Sequence, residues 1–162
     1  MNSLSRKFAE YVQSSDYQAR KAIVFIDSRV DRCDSLVQQA TSEVRVFVLG
    51  WLADGISAVT ETLNSSSCRE VYLVCPGAPG CLYLGRSELS FNTLIQHESK
   101  IKSWFQPSVA DSIADSAEPQ LHLYGSNVAS GDVGTEFMGK LKSMTGAEIA
   151  ASNNVYRGSI FN

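Results

Sequence analysis

Three compact apolar runs decide most of what this chain can become. "AIVFID" at 22–27, "VRVFVL" at 44–49 and "EVYLVCP" at 70–76 are rich in β-branched residues and carry one charged residue each. Each has the length and composition of a buried strand. The segments between them follow a different period. "CDSLVQQA" at 33–40 reads as a short helix, and "ADGISAVTETLN" at 53–64 places Ile56, Val59 and Leu63 at helical spacing. Continuous apolar strands that alternate with helices argue for a mainly parallel sheet covered on both faces. Right-handed crossovers then give an α/β fold, a three-layer α/β/α sandwich.

The rest of the chain extends that pattern. "CLYLGRSELS" at 81–90 reads as a small hairpin with "GRSE" as its turn. Residues 91–105 read as a helix with Leu94, Ile95, Ile101 and Trp104 inward and Pro107 near its end. "QLHLYGS" at 120–126 is a fourth strand, and "DVGTEFMGKLKSMTG" at 132–146 is a helix closed by Gly146. "AEIAAS" at 147–152 is a fifth strand, and "RGSIF" at 157–161 a short edge strand. Upstream, Leu4, Phe8, Tyr11 and Val12 lie near helical spacing within 4–20. The reading is an N-terminal helical extension over 1–21 and one α/β domain over 22–162, with about five to six strands.

Bulk properties narrow the function. A chain of 162 residues suits one compact domain, and an apolar fraction of 44% can build its core. The net charge of −3 offers no general electrostatic case for nucleic acid. The acidic stretch from Asp111 to Glu118 reads as a solvated loop. No stretch approaches a bilayer-spanning length. "MNSLSRKFAEYVQSS" lacks the apolar run of a signal peptide, so a cytoplasmic location is expected. The cysteines Cys33, Cys68, Cys75 and Cys81 form no CxxC pair, and neither a metal nor a cofactor is expected. They read as free and mostly buried thiols; a Cys75–Cys81 bridge is the alternative, disfavoured in a reducing compartment.

In such folds function gathers at the C-terminal ends of the strands. Those ends are Asp27-Ser28-Arg29, Gly50-Trp51, Cys75-Pro76-Gly77, Gly125-Ser126-Asn127 and Ser152-Asn153-Asn154. Asp27, Arg29, Cys75 and Asn127 are therefore candidate crevice residues. Asp27 reads either as a loop-bonding carboxylate or as part of the crevice lining, and Cys75 either as an inert buried thiol or as a nucleophile. His122 precedes Ser126 by four residues on one strand, which at about 3.3 Å per residue separates them by roughly 13 Å. That is too far for proton transfer. His97 falls in a helix and reads as an exposed surface residue. "GSNVASGDVG" follows a strand and precedes a helix, but it lacks the lysine and the glycine spacing of a phosphate loop. It reads as a turn with Asp132 near the helix start, where a negative charge suits the dipole; an anion held at that helix end is the alternative.

Taken together, "IVFIDSRV", "VYLVCPGAPGCLYLG", "LHLYGSNVASGDVGTEF" and "MTGAEIAASNN" resemble the domain of unknown function 4347 over roughly 22–154. Such domains typically occur near the start of large bacterial surface and repeat proteins, cyanobacterial ones among them. That family in turn resembles caspase-like cysteine peptidases of the gingipain and clostripain group. The resemblance implies that the second and third strands flank the first, with the fourth beside the third. It also implies a histidine after the third strand and a cysteine after the fourth, a pair in which a thiolate attacks and an imidazole moves the proton. This chain has Pro76 and Ser126 at those positions. Proline carries no proton, and a serine without a base is a very poor nucleophile. The expectation is a non-catalytic, peptidase-like module acting as a structural or protein-interaction subunit of a larger bacterial assembly. Its protein partner is not specified, and Leu4, Phe8, Tyr11 and Tyr17 are the candidate contacts. The alternative is a residual hydrolase or small-ligand-binding protein using the crevice around Cys75 and Ser126.

Overall fold

The computed structural model describes residues 22–106 and 118–152. The expected helix over 4–20, the edge strand at 157–161, Asn153, Asn154 and the candidate contacts Leu4, Phe8, Tyr11 and Tyr17 lie outside the described residues.

In chain order the described elements are β1 (Ala22–Asp27), α1 (Cys33–Gln39), β2 (Val44–Leu49), α2 (Gly55–Asn64), β3 (Glu70–Val74), β4 (Gly77–Ala78), β5 (Cys81–Leu84), β6 (Ser87–Ser90), α3 (Phe91–Leu94), a 3₁₀ turn (Ile95–His97), α4 (Glu98–Lys102), β7 (Gln120–Tyr124), α5 (Gly131–Thr145) and β8 (Glu148–Ser152). Five strands form one sheet in the order β2-β1-β3-β7-β8, and every neighbouring pair is parallel. The second and third strands flank the first, as the resemblance implies. Strands β4, β5 and β6 make a small antiparallel sheet.

The two faces of the large sheet differ. On one, Ile23, Phe25, Val71, Leu73, Leu121 and Leu123 pack against Ile56 and Val59 of α2, Ile101 of α4 and Phe137 of α5. Each such side chain contributes about 1.5–3 kcal/mol when fully buried. On the other, Val24, Ile26 and Val74 meet Leu36 of α1. The sheet thus lies between two layers of helix, an α/β sandwich. All six residues of β1 are buried, so the central strand follows the continuous-run pattern. β7 instead alternates buried with partly or fully exposed positions. Its outward residues join an aromatic stack, in which the His122 ring lies 4.3 Å from Tyr72 at an interplanar angle of 10°. Tyr124 stacks on Tyr72 from 6.1 Å.

Three local expectations are corrected. The helix read over 91–105 is broken by the 3₁₀ turn at Ile95–His97. A turn of three residues per revolution shifts the angular phase of the residues after it. Leu94, Ile101 and Trp104 remain buried, but Ile95 is 68% exposed rather than inward. The same break leaves His97 half-buried rather than exposed. The hairpin turn is tighter than "GRSE": Leu84 pairs with Ser87, leaving only Gly85 and Arg86 in the loop. Gly85 takes φ +59°, which a two-residue hairpin loop favours and which glycine adopts without strain.

A candidate site at the strand ends

The loops after β1, β3 and β7 meet the small sheet at one end of the domain. The β3 and β7 ends touch directly. Cys75 N–H donates to Tyr124 O at 3.1 Å, and a Cβ built on Gly77 would lie 3.2 Å from Gly125 Cα and from Ser126 N. The small sheet is tied to these ends from outside: Tyr83 N–H donates to Pro76 O at 2.9 Å, and Gly80 N–H to Val128 O at 2.8 Å. Val128 is fully buried, so the β7–α5 loop is anchored at its third residue past Gly125. Ser126 and Asn127, between those anchors, are exposed. Asn127 adopts φ +56°, in the left-handed region that asparagine tolerates better than most residues.

Asp27 is fully buried and its carboxylate has four donors. Oδ1 accepts from the Arg29 backbone N–H and from Nε, both at 2.9 Å. Oδ2 accepts from Arg29 Nη2 at 2.8 Å and from Gly85 N–H at 2.7 Å. Arg29 Nη2 also donates to Gly85 O at 2.7 Å. Burial alone would raise the Asp27 carboxyl pKa, but the hydrogen bonds from Arg29 and Gly85 outweigh it and hold the group below its ordinary value. Asp27 and Arg29 thus clamp both backbone groups of Gly85 and fix the hairpin to the end of β1. The Asp27 carboxylate is spent on these bonds, while the Arg29 side chain stays 42% exposed.

Cys75 is 3% exposed. Burial pushes its thiol pKa far up, and the Asp27 charge adds to the effect. Cys81 is buried too, and burial raises it likewise. All four cysteines are free. His122 sits mid-strand, four residues before Ser126. Burial lowers its pKa, while the nearby Glu70 carboxylate, 3.5 Å from Nε2, acts in the opposite sense. Its ring is committed to the Tyr72 stack. Among the described residues, no hydrogen bond reaches the Ser126 hydroxyl, and no group of three or more His, Cys, Asp or Glu could hold a metal ion.

Sequence reading missed a second polar network, on the far side of the hairpin. Asp54 caps α2 by accepting from Ser57 N–H at 3.0 Å, and it accepts from Ser87 Oγ at 3.0 Å. Lys100 Nζ donates to Ser57 Oγ at 2.7 Å. These bonds, the Ser57 backbone bond foremost, bring the Asp54 pKa down to about 2. The signal was legible: an aspartate three residues before a serine, at the head of a helical run, is a cap.

The fold and its loops define an α/β domain with a parallel sheet, whose candidate site lies where β1, β3 and β7 end. Residues 23–159 match the sequence profile of the domain of unknown function DUF4347, and the chain belongs to that family. A search of curated proteins finds no match. Among the described residues no helix is long and apolar enough to cross a membrane.

Proposed function

We propose that this chain is a non-catalytic, peptidase-like module that serves as a structural or protein-interaction subunit of a cytoplasmic bacterial assembly. The observation that carries the reading is the state of Cys75. A nucleophilic cysteine is partly exposed and has a lowered pKa. The one cysteine beside Pro76 is buried, and its environment raises its pKa. The neighbouring groups support the same reading. Pro76 offers no proton acceptor, the exposed Ser126 hydroxyl meets no base among the described residues, and His122 is engaged with Tyr72. Among the described residues no base or thiolate is placed to serve nucleophilic attack or proton transfer at this end of the sheet, which supports the reading.

Two measurements test this. Purified protein incubated with peptides, including ones with a basic residue before the scissile bond, should cleave no faster than a Ser126→Ala variant. Turnover abolished by Ser126→Ala or Cys75→Ala would replace the proposal with a residual hydrolase. The positive arm is capture of a defined partner from the native host, weakened by substitutions at Leu4, Phe8, Tyr11 or Tyr17.

A further inference from the structure

Arg29 keeps one end of its guanidinium unspent. Nε and Nη2 hold the Asp27 carboxylate, and Nη2 also donates to Gly85 O. Among the described residues Nη1 has no acceptor, and the side chain is 42% exposed. The N–H groups of Nη1 are thus held in a fixed direction with water beside them. A surface arginine normally loses side-chain freedom when it binds a partner. The clamp on Asp27 and Gly85 fixes this one in advance.

Apolar surface gathers around the same hairpin turn. The turn after β2 is closed by Ala53 N–H to Gly50 O at 2.9 Å. It packs on Gly85 and Arg86: Arg86 N–H donates to Ala53 O at 2.9 Å, and a Cβ built on Gly85 would lie 3.0 Å from Gly50 O. Trp51 and Leu52, at the tip of that turn, are 61% and 64% exposed. A turn tip ordinarily carries glycine, asparagine, aspartate or serine. The other tryptophan, Trp104, is buried and its Nε1–H donates to Thr60. Arg86 is exposed and has no acidic partner among the described residues. The acidic residue of the hairpin, Glu88, stands opposite Tyr83, one pair further from the turn than Leu84 and Ser87.

We propose that this rim docks a segment of a partner protein in which an aspartate or glutamate stands beside a large apolar side chain. The inference rests on the protein-interaction reading above and names the chemistry of the partner. The carboxylate accepts from Arg29 Nη1 with Arg86 at hand, and the apolar side chain covers Trp51 and Leu52. Tryptophan and arginine are among the residue types that dominate the energy of interfaces. A carboxylate fits better than a phosphate. Asp27 already balances the Arg29 charge and one nitrogen is left to donate, whereas a phosphate carries nearly two charges and is held by clustered, forked arginines.

Random heptapeptides displayed on phage and panned on the immobilised full chain test this. The recovered sequences should be enriched in Asp or Glu next to Leu, Phe or Trp. A recovered peptide, fluorescently labelled, should bind at least about tenfold more tightly than its Gln or Asn isostere, the difference a charge-assisted bond makes. Trp51→Ala, at an exposed position, should weaken binding at least about tenfold. Val133→Ala, at a residue 56% exposed on α5, should leave it unchanged. Arg29→Lys should abolish the preference for the acidic peptide, since one ammonium cannot serve both Asp27 and the ligand. Should that variant fail to fold, the guanidinium nitrogen-15 resonances of Arg29 in the unsubstituted chain carry the test: they should shift with the acidic peptide and not with its isostere. A library that yields no acidic enrichment, or an acidic peptide that binds Trp51→Ala equally well, overturns the proposal and leaves the non-catalytic reading standing. An acidic peptide that binds at this rim and is then cleaved sinks that reading and leaves the docking site standing.

Discussion

Replacing Asp27 by asparagine should be among the most damaging conservative substitutions in the domain. The side chain keeps its shape, and one oxygen can still accept from the Arg29 backbone and Nε. The other position becomes an NH₂ group facing two donors, Arg29 Nη2 and Gly85 N–H. Two bonds are lost, Gly85 N–H is left buried beside another donor, and the guanidinium loses its counter-charge. Breaking a buried ion pair from one side costs about 3–5 kcal/mol. The Arg29 side chain is 42% exposed and recovers part of its hydration, so the lower end applies, about 3 kcal/mol. Arg29→Ala should cost a similar amount, about 3 kcal/mol, because it strips the fully buried carboxylate of its counter-charge and leaves it only the N–H groups of residue 29 and Gly85.

Urea unfolding at pH 7 reads these differences as shifts in midpoint at constant slope. The pH dependence supplies the second arm. The folded pKa of Asp27 lies below its ordinary value of 3.8. Its contribution is therefore fully present above that value and is lost as pH falls through the folded pKa. The gap between the native protein and Asp27→Asn should narrow below pH 3.8 and not at neutral pH. If Asp27→Asn costs less than about 1 kcal/mol, or the gap is constant down through acid, Asp27 is not the centre of the clamp and the reasoning fails.

Gly85→Ala should destabilise the domain by about 3 kcal/mol or more in the same assay, since its Cβ would lie 2.2 Å from Ala53 O at a positive φ. Asp54→Ala should cost about 1 kcal/mol at pH 7, and the loss should fade as pH drops from 3.8 toward the folded value of about 2. Mass-spectrometric alkylation should label the half-buried Cys33 and Cys68 before the buried Cys75 and Cys81, with Cys75 reacting only on unfolding. On a background without the four native cysteines, Pro76→His with Ser126→Cys should alkylate with a lower apparent pKa than Ser126→Cys alone, below the ordinary thiol value of about 8.5; matching pH profiles would mean the two positions do not communicate.

What was legible in the sequence is what local periodicity encodes. β1 and β2 announced themselves because their runs are almost uniformly apolar, and the α5 boundary because Gly146 ends a helical stripe in the left-handed conformation. The break at Ile95 was not legible. Leu94, Ile95, Ile101 and Trp104 fit one helical stripe on paper, and what overrides it is the hairpin. The reciprocal bonds between Ser90 and Thr93 start α3 directly at the end of β6 and set its direction from there. The strand ends were located, yet the role of Asp27 and Arg29 stayed open between clamp and crevice. Their partner Gly85 lies 58 residues from Asp27, and no local pattern pairs them.

That pairing also explains why the small sheet sits where it does. A three-stranded antiparallel piece with strands of two to four residues is too slight to hold a position by itself. It is held from several sides. Asp27 and Arg29 grip Gly85 at the turn, Asp54 grips Ser87 just beyond it, and Pro76 O and Val128 O receive Tyr83 and Gly80 from the other end. Gly55 packs so closely on the hairpin that an added Cβ would fall 2.3 Å from Leu84 O. The polar side chains nearest the strand ends are thus spent on fixing the hairpin, and Cys75 is sealed beneath it. That these groups face the fold is the arrangement expected under the non-catalytic reading proposed above.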